Sequence, residues 1–203
     1  MTVRPGDSWG LIGPRPAGLR TVDDDASLAA ALTDGSGFPT AVVRGDLART
    51  LGTPSSNVRN EIGKFTLDLV HVVLDDGIVR TACAHVVARS PWWRGSWWTG
   101  PVLAVMNAEF RSGWDVAPRG HPNDGRVETL ECESSFPIRQ RLAVSRRLPS
   151  GTHLPHPSIA SRSVRRASWT FKRRVSVFVD DRFVARSHSI EVVVLPDAAE
   201  IYS

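Results

Sequence analysis

The sequence predicts a mainly β chain, a two-layer sandwich with a short α/β segment in front of it. Three observations carry that prediction. From Phe65 onward, runs rich in Val, Leu and Ile are broken by turn residues at short intervals, the texture of packed antiparallel strands. Ahead of them the stretch DDDASLAAAL, Asp23 to Leu32, has acids at its start and apolar residues at helical spacing, so one helix is expected there. A composition of 41% hydrophobic and 23% charged residues in 203 is ordinary for a globular chain and enough for one substantial core.

The elements follow in order. Residues 1–18, MTVRPGDSWGLIGPRPAG, read as a flexible Pro/Gly-rich lead-in. They contain no apolar stretch of the secretory kind, so a cytoplasmic protein is expected. Residues 19–62 form the α/β segment, in which LRTV and TAVV flank the helix as a βαβ-like unit. A second short helix is predicted over DLARTLG, with Asp46 as N-cap and Gly52 as its stop. Residues 63–203 make the sandwich. FTLDLVHVVLDDGIVRTACAHVVA predicts a hairpin, with Asp76 and Gly77 as a type I′ turn. PVLAVMNAEF, GRVETLEC and RRVSVFVDDRFVARSHSIEVVVL supply further strands. In the last of these, Val175, Val177 and Val179 face one way and Ser176, Phe178 and Asp180 the other. IRQRLAVSRRL predicts a helix over Arg139 to Leu148, packed on the sheets.

Several function classes are set aside by the residues alone. No segment approaches the roughly 18 apolar residues of a spanning helix. Cys83 and Cys132 are too few for a disulfide framework or a zinc knuckle and read as reduced core residues. His121, His153 and His156 lie in proline-rich, loop-like sequence and read as turn and capping residues rather than a zinc set. Ser145 and Ser150 have no nucleophile-elbow context, which excludes a serine hydrolase.

Two features ask for a partner. The net charge is +4, with one basic cluster, RSVRRASWTFKRR from Arg162 to Arg174, that suits nucleic acid, a phosphorylated ligand, an anionic membrane surface or simply a solvated strand face. PWWRGSWWTG, Pro91 to Gly100, holds Trp92, Trp93, Trp97 and Trp98 in a chain that is 7% aromatic. Adjacent tryptophans point opposite ways, so at least two should pack inward. The loop either caps one end of the sandwich or dips into a membrane interface.

The segment NAEFRSGWDVAPRGHPNDGRVETLE, Asn107 to Glu131, resembles the C-terminal domain of the diacylglycerol kinase and sphingosine kinase-like lipid kinases. GTHLPHPSI (Gly151 to Ile159), FVDD (Phe178 to Asp181) and SIEVVVLPDAAEI are similar to later motifs of that family in the same order. Upstream, GDLARTLGTP, Gly45 to Pro54, is similar to its Asn-Asp-Phe-Ala-Arg-x-Leu-Gly-x-Pro. The resemblance implies the β-sandwich of the lipid kinase and NAD kinase-like C-terminal type. It further implies a chain lacking most of the N-terminal nucleotide-binding domain, because the Gly-Gly-Asp-Gly-Thr phosphate loop does not occur in these residues.

Carried over by position, the family's ligand or phosphate contacts fall on Gly45, Asp46 and Asn107. Its catalytic base is the Glu of a Val-Asp-Gly-Glu turn, and Arg182 stands at that position; an arginine stays protonated and cannot act as a base. Asp181 replaces it only if a bulge turns its side chain round. A structural Mg²⁺ falls on Asp124 with the backbone carbonyls of His121 and Arg126, although Asn123, Asp124 and Gly125 also make a turn that needs no ion. The four tryptophans take the place of a helical insertion that lines the family's lipid site.

The expected function is that of a diacylglycerol kinase-like pseudokinase, without phosphoryl transfer, binding a lipid or phosphorylated ligand at or near a membrane. ATP has lost its loop, Mg²⁺ is the one cofactor implied, and a homo-oligomer stays open. The alternatives are an active lipid kinase completed by another chain and a nucleic-acid module acting through the Arg162 to Arg174 strand.

Overall fold

The computed structural model describes residues 9–52 and 61–203, and within them an antiparallel sheet of great length dominates. In chain order the elements are β1 (Leu11–Pro14), β2 (Arg20–Val22), α1 (Asp25–Thr33), β3 (Thr40–Val42), α2 (Asp46–Leu51), β4 (Glu61–Leu74), β5 (Val79–Ala82) and β6 (His85–Arg89). After a 3-10 turn at Trp92–Arg94 come β7 (Val102–Met106), β8 (Phe110–Arg111), β9 (Trp114–Asp115), β10 (Val127–Cys132) and α3 (Ile138–Ser145). A second 3-10 turn, Leu148–Ser150, leads to β11 (Ile159–Val164), β12 (Arg166–Val179) and β13 (Arg182–Tyr202).

The strands run β1-β4-β13-β12-β6-β7-β10-β11, with β5 on the far part of β4 and the small β8-β9 ribbon apart. This sheet folds over on itself as a sandwich. Alternate residues of β4 (Val70, Val72, Leu74), β12 (Val175, Val177, Val179) and β13 (Ile190, Val192, Val194) meet Val86, Ala88, Leu103 and Val105 of β6 and β7 in one core. Each such side chain contributes roughly 1.5–3 kcal/mol by leaving water, so the period-2 pattern is also the main source of stability. On the outer face of β6, β7 and β10, Val87, Ala104, Met106 and Leu130 are covered by Val116, Phe136, Ile159 and the α3 residue Val144.

The N-terminal α/β segment adds to the same sheet. β2 pairs with β3 in parallel, and Ala41 of β3 pairs with Tyr202 of β13. Leu28 and Ala29 of α1 and Leu47 and Ala48 of α2 pack on Leu67, Leu69 and Ile201. The βαβ-like reading of this segment matches the structure. Within the lead-in, residues 11–14 form an edge strand paired with β4 rather than loose chain; residues 1–8, and the Thr53 and Pro54 end of the GDLARTLGTP similarity, lie outside the described residues.

Other local expectations are corrected. Asp46 is the first residue of α2 and Gly45 its N-cap, with φ 108°. The β4-β5 connection is not type I′: Gly77 alone takes positive φ, the Gly77 amide bonds to the Leu74 carbonyl, and the Leu74 amide to that of Ile78. That is a three-residue loop closed by a glycine bulge, because Asp76 keeps ordinary φ. The helix predicted over Arg139 to Leu148 spans Ile138–Ser145, and Pro149 makes the next turn a 3-10 one. Asp180 is not a strand residue at all; it and Asp181, at φ 45° and 61°, are the two central residues of the β12-β13 hairpin.

Candidate functional site

That hairpin turn is where the site begins. Two consecutive left-handed residues give a type I′ turn, which sends the two aspartates in different directions. Asp180 folds back under the sheet and accepts the backbone amides of Cys83, Ala84 and His85, each at 2.9 Å. Asp181 stays half-exposed above them, its Oδ2 3.9 Å from His85 Nε2. The strand argument that placed Asp181 on the wrong face therefore does not apply. Arg182 leaves in another direction and pairs with Asp24 at 3.2 Å.

His85 starts β6 and is 1% exposed. Its Nε2 lies 3.1 Å from Asp46 Oδ2, which also accepts the Ser112 amide at 2.9 Å. Those hydrogen bonds and the charge attraction of the imidazole hold the Asp46 carboxyl below the ordinary range despite burial. An ionised carboxylate only accepts, so the proton sits on Nε2. Burial works against a charged imidazole, but the bond to Asp46 and the charges of Asp180 and Asp181 lift His85 above the ordinary histidine value. Its Nδ1 is buried without a hydrogen-bond partner among the described residues.

Beneath Asp46 lies Asp25, whose carboxylate accepts the amides of Asp46 at 2.7 Å and Leu47 at 3.2 Å. Gly45 permits this: a Cβ there would sit 2.5 Å from Asp25 Oδ1. Ligand atoms of Asp25, Asp46 and His85 come within 4.8 Å of one another, which makes them the set among the described residues able to hold a cation. Asp25, however, spends both oxygens on the α2 amides. The three histidines His121, His153 and His156 do not join any such set: His153 bonds the Val116 carbonyl, and the rings of His121 and His156 accept the amides of Asn123 and Ser158.

Arg111 extends the site toward an apolar cavity. Its guanidinium pairs with Asp181 Oδ1 on one side and lies 5.0 Å from the Trp97 ring centre on the other. Beyond it opens a space of about 170 Å³ walled by Val87, Ala104, Val116, Leu130, Phe136 and Ile159, with Trp97 and Trp98 at its edge. Apolar cavities of about 150 Å³ accept a benzene-sized guest, so this one has room for a ring or a short alkyl segment. The arrangement offers an apolar slot with the Arg111 cation in its wall and the Asp181 carboxylate paired to that cation, while the His85 imidazole stays buried behind Asp181.

The remaining positions from the sequence are placed as follows. Asn107 is fully buried; its amide donates to the carbonyls of Asp68 and Cys83 at 2.8 and 2.7 Å, so it ties β4 to the β5-β6 link rather than lining the slot. Asp124 Oδ1 accepts the Arg126 amide at 2.9 Å in a local turn, with Asp68 bound to the neighbouring Gly125 amide. His121 lies against Trp9, ring centres 4.6 Å apart and tilted by 59°, and the Arg126 side chain reaches Ser163. Of the four tryptophans only Trp97 is held partly inward. Trp92 is 79% exposed, and Trp93 and Trp98 are also exposed, which corrects the expectation that at least two pack inside. On β12, Trp169 and Phe171 lean onto the core while Lys172, Arg173 and Arg174 face out, and α3 does not cover them. Asp25, His85, Arg111 and Ser112 were not visible as site residues in the sequence, since no spacing links them.

The sandwich with its short α/β segment is the diacylglycerol kinase-like fold. It is similar to a diacylglycerol kinase structure from Bacillus anthracis strain Sterne, with TM-score 0.62 and 12% identity over 91% of this chain and 75% of that one. Two further structures from the same organism, provisionally described as diacylglycerol kinases, give TM-scores of 0.66 at 10% identity and 0.63 at 12%. Each match covers 91% of this chain and 77% of the other. No family model and no curated protein matches the sequence. Among the described residues no helix is long and apolar enough to cross a membrane.

Proposed function

We propose that this chain is a lipid-binding member of the diacylglycerol kinase-like fold that does not itself transfer phosphate. The observation that supports lipid binding is the position of Arg111, which lines the apolar slot and is ion-paired to Asp181 at its mouth. A ligand with an alkyl segment in the slot and a hydroxyl or ester at Arg111 and its partner Asp181 satisfies both ends. Against phosphoryl transfer stand two features of the chain: no glycine-rich phosphate loop occurs in its sequence, and Arg182, at the family's base position, is turned toward Asp24.

A second reading is favoured by one observation. Half-exposed Asp181 lies 3.9 Å from the His85 imidazole and is paired to the slot residue Arg111, so acid-base chemistry with a nucleotide site supplied by another chain is the runner-up. Nucleic-acid binding has less support, because Trp169 and Phe171 lean onto the core and are poorly placed to stack bases.

The test uses the purified chain, a short-chain diacylglycerol and ATP with Mg²⁺. Expected are saturable lipid binding, its loss in Ala104→Trp, which fills the slot, and no phosphorylated lipid. Absence of binding removes the lipid reading. Phosphorylated product from the pure chain removes the claim of inactivity.

A further inference from the structure

We infer that the outer side of the Trp92–Arg94 turn and the basic groove beside it form a docking surface for an anionic lipid bilayer. This rests on the lipid reading above for its purpose but on different residues for its evidence.

The tryptophans are held outward by the fold. Pro91 and Gly95 frame a single 3-10 turn, with Gly95 at φ 86°, and the Arg94 amide closes on the Pro91 carbonyl at 2.8 Å. Trp92 and Trp93 are set edge to face, 5.8 Å between centres, and are 79% and 49% exposed. Arg186 lies 4.5 Å over the Trp93 ring. Two bare indoles beside guanidinium groups match the bilayer interface, where the ring enters the headgroup and acyl boundary and the cation stays with the phosphates.

Charge argues for the partner. The groove adjoining the turn is lined by Arg94, Lys172, Arg173 and Arg174 against one carboxylate, Glu133. None of these cations, nor Arg186, forms an ion pair among the described residues. A protein partner would need its own carboxylates and a fitted pocket for two indoles; an anionic bilayer supplies both requirements without a specific shape. The loop also has a second side, for Trp97 and Trp98 of the same segment border the apolar slot. A bilayer touching Trp92 and Trp93 therefore lies against the loop that forms the edge of the lipid site.

The loop is braced for this contact. Buried Arg141 donates to the Trp97 carbonyl at 2.8 Å and also to that of Gly100, fixing the far end of the turn to the loop before α3.

Co-sedimentation with vesicles of phosphatidylcholine alone, and with phosphatidylglycerol added at one part in three, tests the inference on the full chain. Expected are binding to the anionic vesicles, much weaker binding to the neutral ones, and quenching of tryptophan emission by brominated acyl chains. Trp92→Ala with Trp93→Ala should lower the partition coefficient at least about 10-fold. Lys172→Ala, Arg173→Ala and Arg174→Ala together should lower it on the order of 100-fold, since each cation near an anionic surface counts for roughly fivefold. All five positions are exposed, and an unchanged circular dichroism spectrum confirms folding. No binding by the wild type, or binding unchanged by the tryptophan pair, overturns the inference. Ala104→Trp separates it from the lipid reading: the filled slot should lose soluble diacylglycerol and still bind vesicles.

Discussion

The carboxylate of Asp25 caps the helix that begins at Asp46, accepting the Asp46 amide at 2.7 Å and the Leu47 amide at 3.2 Å. A residue of one helix thus fixes the start of the next, and through it the acid that holds His85. Burial, with the like charges of Asp180 and Asp46, outweighs the two amide bonds and pushes the Asp25 carboxyl up to about 7 from 3.8.

The stability consequence has a definite sign. A folded value above the unfolded one means that the folded chain binds the proton more tightly. Its contribution is therefore fully present below about pH 3.8 and is lost as pH rises through about 7. Urea unfolding of the wild type should show stability falling across that window, with Asp68 and Asp180, also raised mainly by burial, pulling the same way. Asp25→Asn should reduce the slope by up to roughly 1.4 kcal/mol per pH unit. An unchanged slope would show that Asp25 does not titrate there.

Asp180 carries a larger part of the fold. Removing its carboxylate strands three buried amides at Cys83, Ala84 and His85. At roughly 1–3 kcal/mol for each unsatisfied buried group, and with partial rescue by water, Asp180→Ala should cost roughly 3–5 kcal/mol in chemical denaturation. Asp181→Asn, which keeps a residue suited to the left-handed turn and strands no buried backbone group, should cost less than about 1 kcal/mol.

The contrast between these two neighbours shows what the sequence could and could not convey. The sandwich was legible because Val70, Val72, Val175, Val177, Ile190 and Val192 alternate with period 2, and that signal is local. The α/β segment was legible from its acids, helix and flanking apolar runs. The turn at Asp180 and Asp181 was implied only by the resemblance to a Val-Asp-Gly-Glu turn and not by the strand pattern, and the exposure of Trp92 and Trp93 was not legible. FVDD reads equally as strand or turn, and the choice depends on pairing Phe178 with Phe183 across the sheet. Likewise His85 looks like one polar residue at the head of an apolar run. Only the folded chain brings it to Asp46, 39 residues earlier in sequence.

Arg141 gives a structural prediction for the tryptophan loop. It is 6% exposed, and its guanidinium donates to the carbonyls of Phe136 at 3.0 Å, Trp97 at 2.8 Å and Glu133 at 2.9 Å, and also to Gly100. Arg141→Met keeps the apolar stem and deletes the donors. A loss of roughly 2–4 kcal/mol is expected, since hydrogen bonds to a charged group count for about 1.5–3 kcal/mol. Amide exchange should accelerate at residues 97–100 and 133–136 ahead of global unfolding. Uniform acceleration over the whole chain would show that the tether is not local.

His85 reports on the Arg111 and Asp181 pair beside the slot, because its neighbours act on it with opposite signs. The Asp46 bond and the charges of Asp180 and Asp181 raise its titration against the effect of burial, while Arg111 lowers it. Followed by the carbon-bound ring protons in NMR, the His85 midpoint should move down in Asp46→Asn and, by less, in Asp181→Asn. It should move up in Arg111→Ala. The last shift is the informative one: removing a cation also frees Asp181, and both changes favour the imidazolium. A lipid that seats its polar end at Arg111 and Asp181 should perturb the same midpoint in the wild type, and leave it alone in Ala104→Trp, where the slot is filled.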